Sequence, residues 1–350
     1  MINSKTNFAL CGAVMLTCLV FLAGAQEVPI PDPGLNSAIR QALQKPDGPL
    51  TESDLLNLTN LSAGGRDIRS VAGLEAARNL RVLDLDANSI TNFAIADALT
   101  NLTILDLFGN RLTSFALTNP LPRLGILDVA FNSLTQCSLP AGMGSLNTLF
   151  LEHNALTNLT LPAGLTGLVQ LDLGDNQLTN LTLPPEVTKL TAMFLAGNPL
   201  TTLVLSAPLA ATNLAATVAS LEDQGVQVCT YPLAVQLALP AQQPIGAFRF
   251  GLTGPPGVYT VYSSTNLTNW LPLNFVSNPS GHNFFTDAEA LPAARKFYRV
   301  LLQDPPENMV FIPPNTFTMG SPTNELHRQP NEGPQTVVTL THGFWRGNSK

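Results

Sequence analysis

The sequence predicts an α/β-type solenoid dominated by strands, then a small all-β domain and an incomplete C-terminal segment. Three observations carry this: asparagines that recur every 22 residues, apolar pairs alternating just ahead of each one, and a shift in composition after Tyr231. Of 350 residues 45% are apolar, ample for a long core, and only 12% are charged. That charged share is about half of the usual value. Asp and Glu number 24 against 17 Lys and Arg, a net charge of −7 with no basic run. Nucleic acid is therefore not an expected partner, because phosphates need a positive field. The four His and four Cys are scattered, so no zinc cluster is expected.

The first 25 residues read as a secretory signal peptide. Lys5 is the lone charge ahead of an uncharged apolar run over 8–22, and Ala23-Gly24-Ala25 supplies the small residues of a cleavage site. The run is about 15 residues, short of the ~20 that span a bilayer. The mature chain is expected to lack a membrane span and to be secreted or held in the periplasm or cell envelope.

Residues 26–79 read as a helical N-terminal cap. Asp32-Pro33-Gly34 opens a short helix through Leu43, with Asp32 as N-cap and proline in the first turn. Thr51-Glu52-Ser53-Asp54 is a second helix start in the manner of a capping box. Leu58, Leu61 and Ile68 form a degenerate first repeat.

Residues 80–231 hold the repeats and a closing cap. Asn88, Asn110, Asn132, Asn154, Asn176 and Asn198 follow one another at 22 residues, each after an L-x-x-L-x-L-type stretch. Alternation with period 2 turns Leu105/Leu107, Leu127/Val129, Leu149/Leu151, Leu171/Leu173 and Met193/Leu195 inward as ribs. The asparagine can serve backbone groups where the chain leaves the strand, which a buried turn needs. Three further apolar columns follow, headed by Leu112, Phe115 and Leu117, spaced for extended chain rather than helix. Pro140, Pro162 and Pro184 reinforce that reading, and residues 213–221 and 226–231 suggest a last helix and strand. Cys137 falls in an inward column, and Cys229 lies slightly over four repeats away. At about 4.8 Å per strand the two are about 19 Å apart, too far for a disulfide.

The pattern L-x-x-L-x-L-x-x-N-x-L resembles the leucine-rich repeat over about half of the chain. The helical cap resembles those of internalin-like bacterial repeat proteins.

Function on such a solenoid belongs to the concave strand face. Between the rib residues stand Asp84, Asp106, Asp128, Phe150, Asp172 and Phe194; beyond them come Asp86, Phe108 and Glu152, then Phe131, His153 and Asp175. This makes an acidic face with aromatic patches at Phe108/Phe131 and Phe150/Phe194, suited to a protein or peptide partner, in particular a basic one. The competing reading is a solvated face whose aspartates bond neighbouring strands. No catalytic residue, cofactor or metal is expected: no loop clusters the oxygens that Ca²⁺ takes, and His153 has no nucleophile near it in sequence.

Residues 232–303 change character. Pro232, Pro240 and Pro244 mark a linker or edge, and 247–252, 257–263, 270–275 and 297–302 alternate as strands with Pro/Gly turns between. Four or five strands in a small β-sandwich are expected. In residues 304–350 the pieces FIPPNTFTMGS, NEGPQTVVTL and GFW resemble the opening of the formylglycine-generating, sulfatase-modifying family. That resemblance implies copper-dependent cysteine oxidation, yet no Cys follows Cys229 to inherit the family's catalytic pair. The segment reads as a truncated, non-catalytic remnant. The alternative to a binding protein is the front half of an exported enzyme of that type with repeats as a targeting module.

Overall fold

A leucine-rich coil cannot bury its own apolar face, so coils stack and share one core. The computed structural model describes residues 26–94, 99–243, 246–290, 295–303, 309–312, 315–319, 336–340 and 344–347, the last four segments by backbone alone. The signal-peptide expectation thus lies outside the described residues, and no helix among them is long and apolar enough to cross a membrane.

The first helix among the described residues is α1 (Pro33–Ala42), capped by Asp32, whose Oδ1 accepts from the Leu35 amide at 3.0 Å. Its Oδ2 accepts from the amides of Arg69 (2.8 Å) and Ser70 (3.2 Å), so one carboxylate ties the cap to the first coil. Helix α2 (Glu52–Leu56) starts with a capping box between Thr51 and Asp54. The coils then follow in order: β1 (Asn60–Ser62), β2 (Val82–Asp84), β3 (Ile104–Asp106) with β4 (Ser114–Ala116), and β5 (Ile126–Asp128) with β6 (Gln136–Ser138). Next come β7 (Thr148–Phe150), β8 (Gln170–Asp172) with β9 (Asn180–Thr182), and β10 (Ala192–Phe194) with β11 (Thr202–Ser206). Helices α3 (Ala207–Ala211) and α4 (Ala215–Asp223) lead into β12 (Gln227–Tyr231). The sequence placed one helix here; Pro208 in the first turn of α3 and the break at Thr212 make it two.

Strands β1, β2, β3, β5, β7, β8 and β10 form one parallel 7-stranded sheet in that order. Register never slips: Leu83 pairs with Leu105, Leu105 with Leu127, Leu127 with Leu149, Leu149 with Leu171 and Leu171 with Met193. The rib leucines from Leu83 to Leu173 are fully buried. On the far side short parallel pieces alternate with irregular extended chain, and β9, β11 and β12 form a second sheet. Strand β12 thus occupies the next coil position beside β11, whereas among the described residues no strand follows β10 in the first sheet.

Polar groups at the strand exits are served by the asparagines. Asn110 Nδ2 donates to the carbonyls of Leu85 (2.9 Å) and Leu107 (3.1 Å), and its Oδ1 accepts from the Ile90 amide at 3.0 Å. The same three contacts recur at Asn132, Asn154, Asn176 and Asn198. Cys137 packs against the core as a free thiol, and burial pushes it up to about 12; Cys229 is also free.

Beyond Tyr231 the chain forms six strands, where the sequence suggested four or five: β13 (Gln236–Gln242), β14 (Phe248–Thr253), β15 (Gly257–Ser264), β16 (Leu271–Asn278), β17 (His282–Asp287) and β18 (Phe297–Leu302). They make two three-stranded antiparallel sheets, β13–β14–β17 and β16–β15–β18, over a core that includes Phe250, Leu252, Tyr259, Val261 and Phe285. Strands β13 and β17 match none of the stretches marked in the sequence; β13 carries Pro240 on an edge strand, where the ladder shifts between Ala238 and Ala241. The module meets the solenoid at Tyr231, which is fully buried and donates its hydroxyl to the Leu183 carbonyl at 2.7 Å. Gly281 lies so close to Tyr231 that any Cβ there would stand 2.5 Å from the tyrosine's own, and its φ of +86° is a second demand for glycine. Further on, β19 (Met309–Ile312) pairs with β22 (Phe344–Gly347), and β20 (Asn315–Met319) with β21 (Thr336–Leu340), all antiparallel.

Candidate binding face

The parallel register sets Asp84, Asp106, Asp128, Phe150, Asp172 and Phe194 in a single column across six strands. Neighbours in it are about 4.8 Å apart along the sheet. Each aspartate has a local task as well. Its Oδ1 accepts from the amide two residues on: Asp84 from Asp86 (3.2 Å), Asp106 from Phe108 (2.9 Å), Asp128 from Ala130 (3.0 Å) and Asp172 from Gly174 (3.0 Å). These bonds run within one coil rather than to neighbouring strands, contrary to the sequence-based expectation for a solvated face. The exception is Asp84, whose Oδ2 also accepts from Ser62 Oγ at 2.8 Å.

Burial, with neighbouring acids adding to it, raises the proton affinity of Asp86, Asp106, Asp128 and Glu152. Burial pushes the Asp128 carboxyl up from 3.8 to about 6; the Ala130 amide works against the shift, and Asp106, Glu152 and Asp172 add to it. Burial likewise raises Asp106, with Asp84 contributing, and raises Asp86, beside Asp84 and Asp106. Glu152 is raised by burial and by Asp172, and its Oε2 is buried without a hydrogen-bond partner among the described residues. No Lys or Arg among the described residues forms an ion pair with any of these acids.

The outermost column is not on the strands. Ala87, Phe131, His153 and Asp175 take left-handed backbone, with φ of 48°, 52°, 51° and 50°, at the turn where each coil leaves the sheet. This throws their side chains onto a rim. There the Phe108 and Phe131 rings lie 4.9 Å apart, Phe131 and His153 lie 4.1 Å apart, and His153 Nε2 stands 3.4 Å from Asp175 Oδ2. The result is a continuous ridge over four coils, with Phe131 45% exposed. Phe150 and Phe194 are not brought together: Asp172 stands between them in the column, and they make no ring contact.

One column was overlooked in the sequence. Val82, Ile104, Ile126, Thr148, Gln170 and Ala192 pair in register and share the concave face, two residues ahead of the aspartates. The period-2 alternation that placed the aspartates implies them equally. They set an apolar strip, Val82 to Ile126, beside the acids.

No family model matches the chain, and no curated protein sequence is similar to it. Among solved structures, the chain is similar to an internalin, inlF, from Listeria monocytogenes, at 21% identity over 58% of this chain and 69% of that one, TM-score 0.38. It is similar to internalin C2 of the same species, at 24% identity over 52% and 89%, TM-score 0.37. A third is the Arabidopsis receptor kinase HAESA, solved in complex with the peptide hormone IDA and the co-receptor SERK1, at 24% identity over 51% and 34%, TM-score 0.33.

Proposed function

We propose that this chain is an exported leucine-rich-repeat binding protein that docks a basic protein or peptide on its concave face and performs no catalysis itself. Export rests on residues 1–25. The repeats of residues 80–231 carry the site, held by the cap of residues 26–79, and residues 232–303 form an accessory module. The observation that carries the reading is the column Asp84, Asp106, Asp128 and Asp172, stacked in register and without an ion-paired Lys or Arg among the described residues. A cationic partner would supply the missing countercharge. Glu152 Oε2 would accept one of its donors, and the Phe108–Phe131–His153 ridge would give it apolar purchase.

The test is calorimetric titration of the protein with a Lys/Arg-rich peptide and with its Asp/Glu-rich counterpart. The expected result is binding of the basic peptide alone, weakened by salt and reduced about tenfold or more in Asp106→Asn/Asp128→Asn and in Phe131→Ala. Equal binding of both peptides, or indifference to these substitutions, would sink the reading.

A further inference from the structure

The C-terminal cap completes one sheet and leaves the other a strand short. Beside β11 the next coil position is filled by β12, which accepts register over five residue pairs. The concave sheet has no such continuation among the described residues, where β10 pairs with β8 alone. Every earlier coil shows what its outer edge would bond to. The Leu173 amide donates to the Phe194 carbonyl at 2.9 Å and the Asp175 amide to that of Ala196 at 2.7 Å. The Val169 carbonyl accepts from the amides of Thr191 and Ala192, and the Leu178 amide donates to Asn198 Oδ1. One coil on, the equivalent groups are the amides of Leu195, Gly197 and Leu200 and the carbonyl of Thr191. None of these has a hydrogen-bond partner among the described residues.

The packing tells the same story. Rib residues Leu171 and Leu173 are 0% exposed, whereas Met193 and Leu195 are 5% and 6% exposed, and Leu200 is half-buried where Leu178 is fully buried. Met193, Leu195 and Leu200 line a cleft of about 550 Å³ whose other side is α4, with Ala216, Thr217, Ser220 and Leu221, and the turn after it, with Gln224 and Val226. That volume is within the range of peptide and ligand pockets.

We infer that this cleft is a second binding site, which takes an extended peptide segment as an added parallel strand on β10. The occupant continues an interface that the molecule already makes between successive strands of this sheet, so its chemistry is specified by the repeat itself. Two apolar side chains separated by one residue enter the cleft as the next rib, and an asparagine three positions on meets the Leu200 amide as Asn198 meets that of Leu178. The partner pattern is apolar-x-apolar-x-x-Asn. Main-chain bonds give the affinity in such strand addition, and the alternate side chains give the specificity. The site does not depend on the acidic column, and the inference stands or falls separately from the concave-face reading.

The probe is an acetylated, amidated Leu-Thr-Leu-Ser-Gly-Asn peptide titrated into the full chain, followed by calorimetry and by amide exchange. In parallel pairing the amide of the middle residue, between the two leucines, faces β10, and that of the second leucine faces away. N-methylation of the former should weaken binding about tenfold, and of the latter hardly at all. Exchange at Leu195 and Gly197, fast in the free protein, should slow about tenfold or more on binding. Ala216→Trp fills the cleft from the exposed face of α4 and should abolish binding while Asp106→Asn/Asp128→Asn leaves it intact; Ser220→Trp serves if Ala216→Trp does not fold. Absence of binding, equal effects of the two methylations, or unchanged binding in the tryptophan variant overturns the inference. So does a concentration-dependent dimer lost in the same variant, which would put a second copy of the chain on the edge.

Discussion

Asn176 shows how much rests on one side chain. Its Nδ2 reaches the carbonyls of Leu151 (2.9 Å), Leu173 (3.1 Å) and Gly174 (3.1 Å), and its Oδ1 accepts from the Leu156 amide at 3.0 Å, all buried. Truncation would strand backbone groups of two coils away from water. Asn176→Ala is expected to lower unfolding stability by about 3 kcal/mol, read from urea midpoints at constant slope. A loss below about 0.5 kcal/mol would mean that water replaces the amide. At this scale the sequence was legible where spacing alone decides: the asparagine column follows from counting. It was not legible at Phe131 and His153. Their contact depends on left-handed backbone at the turn, which the sequence signals through the glycines at the same repeat position, Gly109 and Gly197, rather than through Phe131 or His153 themselves. The same left-handed turn recurs in every coil from Ala87 to Gly197, so it belongs to the repeat, and only the side chain it displays differs from coil to coil.

Among the elements, β17 is tied to β18 and the residue just before it by side chains rather than by a ladder. Asp287, nearly buried, accepts from Lys296 Nζ at 2.5 Å, from the Tyr298 hydroxyl at 2.8 Å and from the Glu289 amide at 3.0 Å. Burial pushes this carboxyl up, but Lys296, Tyr298 and the Glu289 amide outweigh it and hold it below 3.8. A depressed carboxyl stabilises above its unfolded pKa, and that contribution disappears as pH falls through the folded value. Lys296→Met leaves Asp287 buried without its cation and is expected to cost about 3 kcal/mol at neutral pH, and less in acid. Thermal unfolding of both forms at two pH values checks it; a pH-independent difference would point to packing alone. The absence of β13 from the sequence reading has a physical reason. Strand β13 is exposed along its whole length and interrupted by Pro240, so it lacks the alternation of a half-buried strand. The open edge at β10 was hidden because sequence shows where repeats stop but not which sheet the cap extends.

For the molecule as a whole, four acids of the concave face, Asp86, Asp106, Asp128 and Glu152, work against folding at neutral pH. Asp128 sits at about 6 against an ordinary 3.8, so between those values the folded chain binds a proton that the unfolded chain releases. Stability from this group therefore falls as pH rises from about 4 to about 6, and the raised Asp86, Asp106 and Glu152 act in the same direction. Asp128→Asn should flatten that decline and gain about 1 kcal/mol at pH 7, after discounting for solvent screening. Denaturant midpoints at pH 4, 5, 6 and 7 would show it, and parallel curves for the two proteins would refute it. A cationic partner would supply countercharge to the same carboxylates, so binding and acidification should stabilise the fold through the same groups.

The unbroken 22-residue register carries one more consequence. Because neighbouring coils meet in the same way everywhere, the joint between any two is interchangeable with the joint between any other two. Loss or duplication of one whole coil during evolution would leave every seam sealed and shift only the order of what is displayed. The stack is a ruler whose graduations can be removed or added, and Phe108, Phe131, His153 and Asp175 are marks on four consecutive graduations. A lineage could lengthen the ridge, or bring Phe150 and Phe194 into contact by deleting the coil between them, without redesigning the core that holds them.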